Sequence, residues 1–202
     1  KDYVTFGNLN KFATTEPFDE AKAKEYRDKA KAELEGKVTW PIKAPMPYNT
    51  SGTQWPQRVQ VIEQQMEKLL GADYIDIVPT PYPPTGYLNA ARRGGAYALQ
   101  EINWGPDYAD PQTWTDPFLP EPDGYKYQWI ELTTEVDENG RNKYEVYQEM
   151  VDAAKAELVD MEKRFELFAN AEAYIFENAW AMPYCRSGTG YTSSKLNPFE
   201  SP

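Results

Sequence analysis

Apolar residues recur along the chain at two spacings, and the alternation of those spacings sets the order of elements. Ala23, Tyr26, Ala30 and Leu34 fall three and four residues apart, with Asp19 placed to cap and Gly36 to stop, which predicts a surface helix with a narrow apolar stripe. In VTWPI, residues 38 to 42, Val38, Trp40 and Ile42 alternate and predict a first strand that Pro41 puts near an edge or bulge. PMPYNTSGT then reads as a polar loop. Val59, Ile62, Met66 and Leu69 share one face of a helix from about Trp55 to Leu70, with Pro56 in its first turn and Gly71 at its end. YIDIV (74–78) is a second predicted strand, TPYPPTG a loop, Tyr87 to Arg92 a short helix closed by Gly94-Gly95, and YALQEINW (97–104) a third strand. Strands alternating with helices favour parallel pairing and right-handed crossovers, so the predicted class is α/β, an open, mainly parallel or mixed sheet with flanking helices.

The second half is more helical. WIELTTEV and the Asn139-Gly140 turn predict a surface hairpin after a long irregular stretch beyond Pro120. VDENGRN has the outline of a calcium loop, but Arg141 stands at a ligand position and Gly140 is out of place, so no metal site is expected. Tyr147, Met150, Val151, Ala154 and Leu158 form one helix face, and Met161, Phe165, Phe168, Ile175 and Ala179 the next. AMPYCR (181–186) reads as a closing strand. Residues 1–17 read as a connecting segment and 18–202 as one α/β domain, since 202 residues with 41% hydrophobic content support one substantial core.

Open α/β sheets carry ligands at the carboxyl ends of their strands. That end would collect the loops at 48–52, 80–85 and 105–111, and with them Asn49, Tyr82, Trp104 and Asp107. INWGPDYADP (102–111) leaves the third predicted strand through a Gly-Pro turn that presents Trp104 and Asp107. A plain turn residue that caps the next segment is the alternative for Asp107, and core filling the alternative for Trp104. Asp110-Pro111 reads as structural, and Arg164 and Glu172 as surface charges or, by the resemblance given below, interlobe ones.

Composition removes many functions. With 21 Lys and Arg against 32 Asp and Glu, the net charge of −11 argues against nucleic acid as a partner. The chain has no His, which excludes imidazole catalysis and His metal ligands. Cys185 is the sole cysteine, so no intrachain disulfide or thiolate cluster is available, and its place at the end of an apolar run suggests an inert thiol. No apolar run is long enough for a membrane span, and the first residues carry neither a start Met nor a signal pattern, as expected of a piece of something longer.

Four stretches in order give the chain a family resemblance: EPFDEAKAKEY, PYNTS, INWGPDYADP and DMEKRFELFANAEAYIFENAWAMPY. They resemble the helix, distal-lobe loop, Trp-x-x-Asp-Tyr signature and closing helix of the bacterial extracellular solute-binding proteins of family 5, the oligopeptide-binding components of ABC importers. KLNPFESP and the long segment after the signature look like the Gram-positive branch. The resemblance implies one lobe of a two-lobed, periplasmic-binding-protein-like fold, acting without cofactor or catalysis. It implies an oligopeptide ligand, a missing second lobe and a membrane-embedded ABC permease as partners, and an extracellular place through a lipid anchor absent from this chain. By the same resemblance Asp107 matches the carboxylate that pairs with a peptide's α-amino group, Trp104 lines a side-chain pocket, Asn103 and Gly105 meet the peptide backbone, and Asn49 is a further pocket residue. Glu101 stands where some members carry an Arg able to pair with a peptide C-terminus, which leaves ligand length open. A sugar or metal-chelate binder of the same fold, or a carbohydrate-active enzyme using Asp107 and Asp110, are the rival readings.

Overall fold

A computed structural model of the chain describes residues 2–13, 18–119 and 136–183. Helix α1 (Glu20–Leu34) starts as the sequence predicts, with the Asp19 carboxylate accepting the Lys22 N–H at 2.9 Å. None of its residues is buried, and Lys24–Glu20 and Lys29–Glu25 pair along its exposed face. It docks through Arg27, which donates to the Leu70 carbonyl, and through Lys31, which pairs with Asp73.

Strands β1 (Ile42–Asn49) and β2 (Ile75–Tyr82) run parallel, registered from Ile42 against Ile75 to Asn49 against Tyr82, and helix α2 (Gln54–Leu70) crosses between them. This corrects the sequence reading, which placed the first strand at 38–42 and made loops of PMPYN and TPY. The prolines occupy alternate positions. Ile42 and Thr50 donate to Tyr74 and Tyr82, so the even-numbered residues of β1 face β2, while Pro45 and Pro47 point their missing N–H groups away from the partner. Pro79 and Pro81 do the same on the far side of β2. The outward N–H of Ile77 on that side is taken by Glu67 Oε1 of α2 at 3.0 Å.

The same prolines explain why 97–104 is not a third strand. Both Ala98 and Leu99 donate to one acceptor, the Pro45 carbonyl, at 2.8 and 3.3 Å, and no ladder forms beyond them because that edge of β1 lacks the N–H groups to build one. Among the described residues the sheet has two strands. Its core is small: Ala44, Met46 and Ile77 close on Val59 of α2, with Leu99 packed beside them.

A second core lies between α4 (Lys143–Ala156) and α5 (Met161–Glu177). Asn142 and Glu145 form a reciprocal cap at the start of α4, and Asp160 accepts the Lys163 N–H at the start of α5. Tyr147, Val151, Ala154, Phe168, Ala171 and Ile175 are buried there with Leu119. The opening residues form two 3-10 turns, Tyr3–Thr5 and Gly7–Phe12, whose Phe6 and Leu9 are buried against Ala169 and Ala173. Gly7 has φ +47°, and a Cβ there would meet the Asn170 carboxamide at 2.4 Å. Three expected face residues lie elsewhere. Leu158 is 76% exposed because α4 ends at Ala156, Met161 is exposed at the first turn of α5, and Ala179 lies beyond the end of α5 with φ 54°. The Asn139-Gly140 turn is present, closed by the Val136–Asn142 bridge, whereas the rest of the expected hairpin lies outside the described residues. Residues 181–183 are irregular, and the remainder of the expected closing strand, with Cys185, also lies outside them.

This packing predicts that Phe168→Ala destabilises the chain by about 3–5 kcal/mol, the usual cost of emptying a buried Phe site. Leu158→Ala should stay within about 0.5 kcal/mol of the parent. Urea denaturation checks both, and similar losses for the two would mean that the turn between α4 and α5 is wrongly placed.

Candidate functional site

Residues 97–119 are strung between the two cores. At one end Leu99 packs on the sheet cluster and Glu101 pairs with Arg58 at 2.6 Å; at the other Leu119 is buried against α4 and α5. Between them the stretch 100–106 has no regular structure, and the short helix α3 (Gln112–Thr115) comes after it. The resulting loop is held by bonds within itself and by side chains of α2, α4 and α5. Asp107 N–H and Trp104 Nε1–H both donate to the buried Thr113 Oγ1, at 3.1 and 3.4 Å, which brings the two principal candidates onto one hydroxyl. Asp110 Oδ1 accepts the Gln112 N–H at 2.9 Å and fixes the turn into α3, in keeping with its structural reading.

Arg164 and Glu172 correct the sequence reading, because neither behaves as a surface charge. The Arg164 side chain is buried on α5. Its Nε and Nη2 grip both oxygens of Asp110, at 3.2 and 3.1 Å, while Nη1 donates to the carbonyls of Ala154, Lys155 and Glu157 at the end of α4. The guanidinium also lies 4.8 Å from the Phe168 ring centroid. The signal was in the spacing: Arg164 precedes Phe168, Ala171 and Ile175 by four, seven and eleven residues, which puts it in the buried stripe. Glu172, on the same helix, faces Tyr3; burial raises its carboxyl pKa above the ordinary 4.5, and burial together with Glu172 pushes the Tyr3 phenol up as well.

The acids along this loop divide by partner. Asp116 takes Lys155 at 3.0 Å and accepts from Tyr108 and Gln112, and burial with the Asp116 charge pushes the Tyr108 phenol up to about 12. Glu101 holds Arg58, and Asp110 holds Arg164. Asp107 is exposed, and among the described residues no Lys or Arg pairs with it. Asn103 and Gly105 are exposed beside it on the same stretch. Asn49 stands at the carboxyl end of β1, opposite Tyr82, where its Oδ1 accepts the Ser51 N–H at 2.8 Å. Tyr82 in turn meets Tyr87 edge-on at 6.4 Å. No group among the described residues could hold a metal ion, and none of the described helices is long and apolar enough to cross a membrane.

Residues 3–126 match the model of the bacterial extracellular solute-binding proteins, family 5 Middle. The chain is 29% identical to the oligopeptide-binding protein SarA of Streptococcus gordonii over 92% of its own length, and 30% identical to the oligopeptide-binding protein AliA of Streptococcus pneumoniae over 91%. It spans 30% of the first and 29% of the second. Its fold is shared with the substrate-binding domain of an oligopeptide ABC transporter from Bacillus anthracis str. Ames. That likeness has a TM-score of 0.64 at 23% identity, over 85% of this chain and 29% of that one.

The burial of Glu172 predicts a pH effect with a definite sign. A carboxyl whose folded pKa is raised contributes stability fully below its ordinary value of 4.5 and loses it as pH rises through the folded pKa. Glu172→Gln should therefore match the parent in mildly acidic buffer and exceed it at neutral pH. Denaturation across that range checks this, and a variant that is weaker by the same amount at every pH would contradict it.

Proposed function

The chain belongs to the bacterial extracellular solute-binding proteins of family 5, and on that premise we propose that it is one lobe of a longer, two-lobed protein that captures oligopeptides outside the cell for an ABC importer. Residues 18–202 form that lobe, with the opening turns Tyr3–Thr5 and Gly7–Phe12 packed against its α5. The ligand's α-amino group is held by Asp107. The observation that carries this reading is the division of acids along the loop: Glu101, Asp110 and Asp116 each hold a cation of the protein, and Asp107 is exposed without one among the described residues. A carboxylate kept free on a hydrogen-bonded loop suits a cation brought by a ligand. Closure of the second lobe would exclude water from the pair and strengthen it.

Trp104 supplies a flat apolar wall next to that anchor, tethered by its indole N–H to the hydroxyl that also holds Asp107. An extended peptide would meet the backbone at Asn103 and Gly105, in the manner of strand addition. The outward edges of β1 and β2 are poor alternatives, since Pro45, Pro47, Pro79 and Pro81 offer no N–H there. Asn49 contributes from the sheet end. Glu101 is engaged with Arg58, so no cation at that position waits for a peptide C-terminus, and ligand length is set by the second lobe. A membrane-embedded permease is the partner that receives the peptide, and a lipid anchor outside this chain keeps the protein at the cell surface.

The glycoside-hydrolase alternative needs two carboxylates facing one bond. Asp110, the second acid, is gripped through both oxygens by Arg164, which speaks against it. In the full-length protein, Asp107→Asn should weaken peptide binding by about 2–5 kcal/mol, as when one member of a shielded charge pair is lost. That range corresponds to roughly 30-fold to several thousand-fold in Kd. N-acetylation of the peptide should weaken the parent comparably, and the two changes together should cost much less than their sum. Calorimetric titration of both proteins with free and acetylated peptides tests this: additive losses, or an unchanged Kd in the variant, would reduce Asp107 to a turn residue.

A further inference from the structure

The geometry points to Arg164 as the positioning residue of the ligand loop: through Asp110 it sets where Asp107 and Trp104 stand, although it lies on α5 and is buried away from the ligand. This inference rests on the reading of Asp107 as the ligand's anchor.

The connection is continuous and made of short links. Arg164 is fixed to the end of α4 by three backbone carbonyls and lies 4.8 Å from the Phe168 ring centroid, which together orient its fork. That fork meets Asp110 through two N–H groups. Asp110 in turn accepts the Gln112 N–H, and its carbonyl accepts the Thr113 N–H at 3.3 Å, which starts α3 and places the Thr113 side chain. Thr113 Oγ1 receives Asp107 N–H and Trp104 Nε1–H. A guanidinium matches a carboxylate in a planar, two-bond fork, which fixes direction as well as distance. The ammonium of Lys supplies charge without that direction.

A second tie runs the same way. Lys155, from the last turn of α4, pairs with Asp116, which also accepts from Tyr108 and Gln112. The end of α4 thereby grips the loop on both sides of α3, and Arg164 is the member of this grip that reaches Asp110.

The test uses the full-length protein with Arg164→Lys and Asp110→Asn. The second variant keeps an oxygen for the Gln112 N–H and removes the charge pair, so it guards against simple misfolding of the first. For each, the Kd is measured for a peptide with a free amino terminus and for its N-acetylated form, together with amide hydrogen exchange over 104–114. Expected are a loss of roughly tenfold or more for the free-amine peptide, a clearly smaller loss for the acetylated one, which still meets Trp104 but not the Asp107 charge, and faster exchange at Asp107, Gln112 and Thr113 while α5 is unchanged. Equal proportional losses for both peptides, with loop exchange unchanged, would make Arg164 a stabiliser of the fold only and overturn the inference. If the parent itself binds the two peptides alike, the reading of Asp107 as amine anchor fails. The positioning role then stands on faster loop exchange in the variants and falls if their exchange matches the parent.

Discussion

A buried guanidinium must be fully hydrogen-bonded or it is too costly to keep, and in this chain that constraint falls on Arg164. Its N–H groups find the Asp110 carboxylate on one side and the last carbonyls of α4 on the other. Satisfying one side chain therefore closes the corner between α4 and α5 and draws in the loop that runs from the sheet. The stretch 97–119 has a foot in each core, through Leu99 and Leu119, and its acids Glu101, Asp110 and Asp116 are tied to Arg58, Arg164 and Lys155 outside it. What it leaves open is the Asp107 carboxylate and the exposed backbone around Asn103 and Gly105.

The sheet contributes by being closed. Two strands are few for independent stability, and an unpaired strand edge invites another chain. Here α2 covers the small apolar cluster around Val59, Pro45, Pro47, Pro79 and Pro81 stand at outward positions, and Glu67 takes the outward N–H of Ile77. In the proposed function an extended ligand meets instead the irregular segment before α3, where exposed backbone stands beside the Asp107 carboxylate. On the proposed reading, affinity that depends on an ammonium and on main-chain contacts tolerates many side chains, as capture of peptides of varied sequence would require.

The helices were legible because capping and periodicity are local: Asp19 marked the start of α1, and the apolar spacing marked α4 and α5, whose caps at Asn142 and Asp160 the structure adds. The strands were legible in type and order but not in extent. Pro45, Pro47, Pro79 and Pro81 look like loop signals, yet a proline costs a parallel strand nothing at positions whose N–H would face away from the partner, and only the register reveals which positions those are. The expected third strand failed for the complementary reason, since apolar pattern in YALQEINW says nothing about an edge of β1 that cannot donate. At the site, Asp107 and Trp104 were visible as neighbours in one motif. Their joint tether to Thr113 is a side-chain geometry that no spacing shows, and the role of Arg164 depends on a contact with Asp110, 54 residues away in the chain.

The most direct test of this account is a crystal structure of the full-length protein with a peptide bound. The account predicts the peptide's terminal nitrogen within about 3 Å of an Asp107 carboxylate oxygen, its first side chain against Trp104, and Asp110 still held in the fork of Arg164. A peptide amine received by another residue, with Asp107 facing solvent, would contradict it.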